Sequence, residues 1–339
     1  MKPDFDMQTT SVLIQSLCVP CCNRCRYCLL SANGTVEGAD WDRSVRIAER
    51  YLNELRAQRP ELKASFSFGY SMEHPKLREA IQTLHRLGSP TATFLQCDGM
   101  KMRNDAECRA LAAMLRDEGI QQLNFTVYGL PEYHDCFAGR PGDLALIERM
   151  MKAAREIGLP FTVGIPLNEE NVSQTNAVVE RMTAAGSSKT SLFIPHEEGR
   201  GRLLEDVRLR LRDLSNLSPA VRNLLNETIY RTEAEWLKAP ELAEAKSRYI
   251  LISLCKDNID DYEKRSAVSV LEEIEALDER YYQAFPSFSE LAAQYGDPEG
   301  DRLYRVRDLF YHYRRLYAAE HPMNVPDLMD ETRSGSRRI

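Results

Sequence analysis

Over about the first 200 residues, short apolar runs alternate with longer stretches whose apolar residues recur at helical spacing. Strands are predicted at Val12 to Leu17, Ala64 to Phe68, Ala92 to Gln96, Leu123 to Val127, Phe161 to Ile165 and Thr190 to Ile194. Helices separate them. Val45, Ala48, Leu52 and Leu55 form one apolar stripe, and Leu77, Ile81 and Leu84 form another. Gly88, Gly119, Gly158 and Gly186 fall just past successive helices, where glycine adopts the left-handed C′ conformation at least cost. Regular alternation of strand and helix predicts a parallel α/β sheet or barrel.

The last third has a different pattern. From about Leu203 onward it reads as mostly helical and charged, with one strand at Tyr249 to Leu254 and helices across Ser266 to Ala284 and Leu303 to Ala319. Pro286-Ser287 and Gly296-Asp297-Pro298 punctuate it. Aromatic residues crowd this region, and Tyr281, Tyr282, Phe285, Tyr304, Phe310, Tyr311, Tyr313 and Tyr317 are expected to pack it against the rest of the chain. The division that follows is 1–202 for the α/β part and 203–339 for a helical cap or substrate-specificity region.

With 339 residues, 43% hydrophobic and 28% charged, the chain has the composition of a globular protein and can bury a large core. A formal net charge of −7 leaves no overall electrostatic case for nucleic-acid binding. No apolar run approaches the roughly 20 residues of a membrane span, so a soluble cytoplasmic protein is expected, and the basic SRRI tail reads as solvated.

The candidate chemistry lies just after the first strand. Cys18, Cys21, Cys22, Cys25 and Cys28 fall in two overlapping registers of one spacing, Cys18/Cys22/Cys25 and Cys21/Cys25/Cys28. Three thiolates from one tight loop can hold an iron-sulfur cluster and leave one iron without a protein ligand. Zinc is the competing reading, yet zinc sites pair such cysteines with a second pair or with histidines, and Cys97, Cys108, Cys136 and Cys255 are solitary. A disulfide framework fits neither the length nor the N-terminal residues.

The stretch CCNRCRYC, with Tyr27 directly before Cys28, resembles the Cys-x-x-x-Cys-x-aromatic-Cys loop of the radical S-adenosylmethionine (SAM) superfamily. Arg24 would occupy the aromatic position in the other register. The resemblance therefore implies Cys21, Cys25 and Cys28 as ligands of a 4Fe-4S cluster. It further implies a partial (β/α)6 TIM-like barrel with a mostly helical C-terminal extension, and SAM as a second cofactor. The implied reaction is reductive cleavage of SAM to a 5′-deoxyadenosyl radical that abstracts hydrogen from a small-molecule or peptide substrate. An electron donor such as flavodoxin or ferredoxin is implied as partner. The alternative is a non-catalytic iron-sulfur or zinc protein with a degenerate SAM site.

Other strand ends resemble the family less closely. Phe68-Gly69-Tyr70-Ser71-Met72-Glu73-His74-Pro75 stands where members carry Gly-Gly-Glu-Pro, with Tyr70 and Ser71 in place of Glu-Pro. That leaves backbone carbonyls near Gly69 and the Tyr70 and Ser71 hydroxyls to meet the SAM amino group, while Glu73 is expected to be solvated near a helix start. Gln96-Cys97-Asp98-Gly99 resembles Thr-Asn-Gly, and Thr126-Val127-Tyr128-Gly129 resembles Ser-Leu-Asp-Gly. These similarities put Tyr27, Gly69, Tyr70, Ser71, Asp98, Thr126, Tyr128 and Arg200, the last from Gly199-Arg200-Gly201, on the cofactor side. His134-Asp135 and Asn171 match further recurrent stretches, with His134 read as structural or solvated.

Cys97 is a candidate hydrogen donor to a substrate radical, set against its ordinary reading as a small buried hydrophobe. Only Cys255 lies in the C-terminal third, so one cluster is expected, without the cysteine-rich SPASM-type domain of many peptide-modifying members. The first strand begins about a dozen residues in, which lowers the expectation of a leader-peptide module.

Overall fold

A computed structural model describes residues 11–16, 21–28, 38–69, 72–197, 199–240, 248–323 and 334–338. The alternation read from the sequence becomes five βα units and a sixth strand: β1 (Ser11–Ser16), α1 (Trp41–Gln58), β2 (Lys63–Ser67), α2 (Leu77–Leu87), β3 (Phe94–Gln96), α3 (Asp105–Asp117), β4 (Gln122–Thr126), α4 (Pro131–Ala138), α5 (Asp143–Glu156), β5 (Phe161–Pro166), α6 (Thr175–Ala185) and β6 (Lys189–Phe193). Each predicted strand is present, its bounds shifted by one or two residues. Of those strands, Leu17 lies outside the described residues.

The C-terminal third adds α7 (Pro219–Arg222), β7 (Arg231–Thr232), α8 (Glu233–Leu237), β8 (Arg248–Leu254), α9 (Ile259–Tyr262), α10 (Ala267–Gln283), α11 (Phe288–Tyr295), β9 (Leu303–Tyr304), α12 (Val306–Glu320) and β10 (Gly335–Arg338). The helix expected from Leu303 begins later. Leu303 and Tyr304 pair with Thr232 and Arg231 in an antiparallel ladder, and Arg305 is the N-cap of α12.

The strands form two four-stranded sheets, β10-β8-β1-β2 and β3-β4-β5-β6, with β7-β9 as a separate ribbon. Every pairing among β1 to β6 is parallel. This is a partial TIM-like barrel with a largely helical C-terminal region. β8 runs parallel to β1 from Ser11↔Tyr249 to Ser16↔Leu254, so the C-terminal third contributes a seventh parallel strand. β10 caps that edge in the antiparallel sense.

Alternation along the strands sorts side chains between two layers. Val12, Ile14, Phe66, Leu95, Leu123, Phe125, Val163, Leu192, Ile250 and Ile252 share the main core with α1, α2, α3 and α5, whose stripe residues Val45, Ala48, Leu52, Leu55, Ile81 and Leu84 are buried. At about 25 cal/mol per Å² of apolar area, this layer is the chief source of stability. The other strand face is polar: Gln15, Ser67, Gln96, Asn124, Thr126, Thr162 and Ser191 alternate with the core residues. Gly88, Gly119, Gly158 and Gly186 all have positive φ at helix ends, as their positions predict. Among the described residues, no helix is long and apolar enough to cross a membrane.

Candidate functional site

Loops following parallel strands emerge at one end of the sheet, and the cysteine loop follows β1. Described from Cys21 to Cys28, it is pinned to the loops after three other strands. Cys22 N donates to Gly99 O at 2.9 Å after β3; Arg24 N and Arg26 N donate to Ala138 O and Phe137 O at 2.7 and 3.0 Å on α4; Cys28 O accepts from Arg200 N at 2.8 Å after β6. Two glycines make this fit possible. Gly99 has φ +64°, and a Cβ built there would lie 2.2 Å from Cys21 Sγ. Gly139, at φ +66°, would place a Cβ 3.0 Å from the Arg24 carbonyl oxygen.

Beneath the loop is a buried polar bracket. Asn23 Nδ2 donates to Asp143 Oδ2 at 2.9 Å, His134 Nε2 lies 3.1 Å from the same oxygen, and Arg140 pairs with Oδ1. Burial alone would raise the Asp143 carboxyl; hydrogen bonds from His134 and Arg140 outweigh it and hold the group below its ordinary value. His134 Nδ1 accepts from Tyr128 N at 3.1 Å, which fixes the chain just beyond β4. His134 is 0% exposed and sits on α4, whose first turn Pro131 starts, rather than in a loop. Its role is structural.

One flank of the thiols is aromatic. Tyr27 meets Tyr128 edge-on at 5.6 Å between centroids and leans on Phe137 at 5.8 Å, within an apolar cluster that includes Ala138 and Leu204. The Tyr128 hydroxyl donates to Cys25 Sγ at 3.1 Å. Burial pushes the Cys25 thiol up to about 12, with the charges of Asp98, Cys21 and Cys28 adding to it and the Tyr128 hydrogen bond opposing. The Cys21 thiol is raised by burial as well, with Cys28, Asp98 and Cys22 adding to that rise. The thiols therefore sense one another's charge. Protons on such sulfurs are readily exchanged for a metal centre, which supplies the positive charge they lack.

The three sulfurs do not all lie within 4.8 Å of one another; among the described residues only Glu197, Glu205 and His312 form a donor group that tight. A tetrahedral zinc with Zn–S bonds of ~2.3 Å needs sulfurs about 3.8 Å apart. Soft thiolates such as these suit an iron-sulfur cluster as well as zinc. Glu197 and Glu205 are themselves engaged by the buried Arg208, which speaks against a cation there.

The opposite flank is polar. Asp98 Oδ1 accepts from Thr126 N at 2.9 Å and Oδ2 from Thr126 Oγ1 at 2.7 Å, and Gln96 Nε2 also donates to Oδ2. Burial raises the Asp98 carboxyl despite these bonds. From Gln96 the network continues across the strands: Asn124 Nδ2 donates to Gln96 Oε1, and Thr162 Oγ1 donates to Asn124 Oδ1 at 2.8 Å. The chain β5-β4-β3 thus carries a continuous polar ladder that ends beside the thiols.

The structure brings Tyr27, Asp98, Thr126, Tyr128 and Arg200 around Cys21, Cys25 and Cys28. Arg200 touches the loop through its backbone, and its Nε is buried with no acceptor in reach. Gly69 has φ +81° just after β2, and its N–H donates to Ser67 Oγ at 3.2 Å. Tyr70, Ser71 and Cys18 lie outside the described residues. Cys97 is not brought to the group. It is 0% exposed, on the core side of the chain after β3, with Sγ 3.8 Å from Met72 Sδ, while its neighbours Gln96 and Asp98 take the polar side.

Glu73 corrects the solvated reading. Its side chain is 5% exposed, and it accepts from Lys101 N at 2.9 Å and from both terminal nitrogens of Arg103, clamping the loop after β2 to the loop after β3. His74 accepts from Lys76 N at 3.1 Å and packs against Trp41 and Phe68, and burial lowers its pKa. Asn171 spans Tyr128 O and Pro166 O at 2.8 and 2.7 Å. The Asn23-Asp143-His134 bracket and the Gln96-Asn124-Thr162 ladder escape motif reading. The only sequence signal of the ladder is the polar residue at every second position of the strands, and the bracket gives none beyond His134.

Residues 17–181 match the radical SAM superfamily. No curated protein matches the chain. Among solved structures it is similar to SuiB of Streptococcus suis bound to the precursor peptide SuiA, at 13% identity and a TM-score of 0.49, over 71% of this chain and 57% of that one. It is similar as well to coproporphyrinogen III oxidase HemN of Escherichia coli, a radical SAM enzyme, at 14% identity and a TM-score of 0.40, over 73% and 63%. The chain spans less than two thirds of either protein's length. At such distances their substrates say nothing about this one.

Proposed function

Because the chain carries a radical SAM domain at residues 17–181, we propose that it is a radical SAM enzyme acting on a small-molecule or peptide substrate. In this reading Cys21, Cys25 and Cys28 hold a 4Fe-4S cluster and leave one iron for SAM. When bound and reduced, the cluster supplies the electron that cleaves SAM to methionine and a 5′-deoxyadenosyl radical.

The residues of the chain do the positioning. The Tyr27, Tyr128 and Phe137 rings cover one flank of the thiols and exclude water from it. The Tyr128 hydroxyl donates to one sulfur, which is the kind of contact that tunes a thiolate ligand. Asp98 is held by Thr126 and Gln96, so its carboxylate is oriented before any ligand arrives. Thr126, Asp98 and the backbone near Gly69 are the proposed SAM contacts, with Tyr70, Ser71 and the Arg200 side chain as further candidates. The polar ladder through Gln96, Asn124 and Thr162 lines the path by which a hydrogen-bonding substrate would approach. Residues 203–339 are proposed as the cap that shapes substrate choice, with β8 built into the barrel sheet.

The observation that carries this reading is the Cys21, Cys25 and Cys28 loop on the strand-end face, pinned to the loops after three other strands and cradled by Gly99. The test is anaerobic reconstitution with iron and sulfide, then SAM and dithionite, with 5′-deoxyadenosine as readout. Product from the native chain and none from the Cys21→Ala, Cys25→Ala, Cys28→Ala triple variant supports the proposal. A fully assembled cluster that neither binds nor cleaves SAM would sink it.

A further inference from the structure

Solvent reaches the inside of the barrel at Asn124 and Thr162. Asn124 pairs in register with Gln96 on one side and Thr162 on the other, and Thr162 pairs in turn with Lys189. Their chain neighbours Leu123, Phe125, Phe161 and Val163 are buried in the core layer against the helices. Closed in on three sides, Asn124 and Thr162 are nevertheless half-buried rather than buried, so their exposure is through the inner face. Ser65, Ser67, Gln96 and Ser191 are half-buried on that same face. Half-buried Leu13 and Phe193 are its apolar members; a Cβ built on Gly164 would lie 3.2 Å from the Phe193 ring.

Charge is what sets this surface apart. Along β1 to β6 the inner face is charged only at Lys63 and Lys189, the exposed first residues of β2 and β6, at the end of the strands away from the cysteine loop. Everything between is hydroxyl, amide or apolar. Asp98, just past β3, is already committed to Thr126 and Gln96. Thr162, Asn124 and Gln96 hold one another in place, and the Ser67 hydroxyl, which accepts from Gly69 N, keeps its own proton to donate. An anion brought against these walls loses its hydration and gains no counter-charge, which is costly. An uncharged group with donors and acceptors exchanges water for hydroxyls and amides at little cost.

We propose that the barrel interior selects an uncharged, hydrogen-bonding portion of the substrate, a polyol or an amide, and rejects the carboxylate counterpart. This assignment rests on the proposed radical SAM reaction and narrows its substrate class.

Two matched pairs serve as probes: methyl glucoside with methyl glucuronide, and N-acetylalanine methylamide with N-acetylalanine. Binding to the full chain, with its cluster reconstituted and SAM absent, is read by saturation-transfer NMR titration. The expected result is binding of the neutral member at least about five-fold tighter in one pair or both, and the pair that shows it tells polyol from amide. Ser191→Lys sets a cation midway along β6 and is expected to reverse the preference. Ser65→Lys does the same from β2 should that variant not fold. Tighter binding of the charged members, equal binding within both pairs, no binding of any probe, or a preference that survives both lysine variants overturns the assignment. Formation of 5′-deoxyadenosine is measured separately. Its absence beside a neutral preference counts against the reaction alone, and its presence without that preference counts against the substrate class alone.

Discussion

The hydroxyl of Tyr128 donates to Cys25 Sγ at 3.1 Å across 103 residues of sequence. Tyr128 stands where the resemblance places a cofactor-side residue, yet its hydroxyl is turned to a thiol that the cluster would use. A donor to a cluster sulfur stabilises the more negative, reduced state. Tyr128→Phe should therefore lower the cluster's reduction potential while keeping the ring packed on Phe137. A lost hydrogen bond of about 1 kcal/mol corresponds to roughly five-fold in a rate it influences. Potentiometric titration followed by EPR checks this apart from turnover. An unchanged potential would assign Tyr128 a packing role alone.

The contact between Gly99 and Cys21 gives a second prediction, because steric and conformational costs can be separated. Gly99→Ala should abolish cluster loading, since its Cβ would meet Cys21 Sγ at 2.2 Å. Gly88→Ala is the control: its φ is also positive, at +68°, yet the space around it is open. Both variants carry the left-handed strain of about 1 kcal/mol, and only Gly99→Ala should lose iron. Iron and sulfide per chain after reconstitution decide it. Equal loading of the two variants would remove Gly99 from the cradle.

The sequence carried the strands and the cysteine loop because both are local patterns. Strand runs are set by alternation over a few residues, and the thiols by spacing within one loop. What it could not show depends on distant partners. The run at Tyr249 to Leu254 is legible as a strand, but its place beside β1 follows from pairing across more than two hundred residues. Glu73 reads as solvated because Arg103, which buries it, comes from the next loop. Asn23 gives no sign of a role until Asp143, 120 residues on, meets it. Cys97 has a motif neighbour on each side, and only strand alternation, one residue out of phase, sends its sulfur into the core.

At the end of β6, Asp308 of α12 predicts a distinctive acid response. It is 0% exposed; burial would raise its carboxyl, but His196, Arg307 and Arg208 outweigh that and bring it from 3.8 to about 2. A carboxylate whose folded pKa lies below its unfolded value stabilises the fold above the unfolded pKa and loses that contribution as pH falls through the folded one. The contribution here is roughly 2 kcal/mol, complete above about pH 5. Asp308→Asn should be less stable than the native chain at pH 7, with the gap closing between about pH 4 and pH 2. Urea denaturation across that range tests it. A gap that stays constant with pH would mean that shape, not charge, is what Asp308 provides.

Cys97 provides the test that divides a chemical role from a packing role at the strand-end face. Its sulfur lies 3.8 Å from Met72 Sδ and is fully buried in the core layer. Burial raises its thiol well above the ordinary value, with the Asp98 charge adding to the rise. A neutral thiol can still donate a hydrogen atom, so protonation does not decide the matter; reach does. With the side chain directed into the core, a substrate radical on the polar side would meet Gln96 or Asp98 first. Cys97→Ala is expected to keep the native rate of 5′-deoxyadenosine formation and the native product, at a stability cost of about 1 kcal/mol from the lost sulfur contacts. Cys97→Ser should cost more stability, since it places a hydroxyl in an apolar layer. Unimpaired SAM cleavage in Cys97→Ala accompanied by a changed product or by solvent-derived hydrogen in that product would restore the thiol to the reaction and require the loop after β3 to turn during turnover.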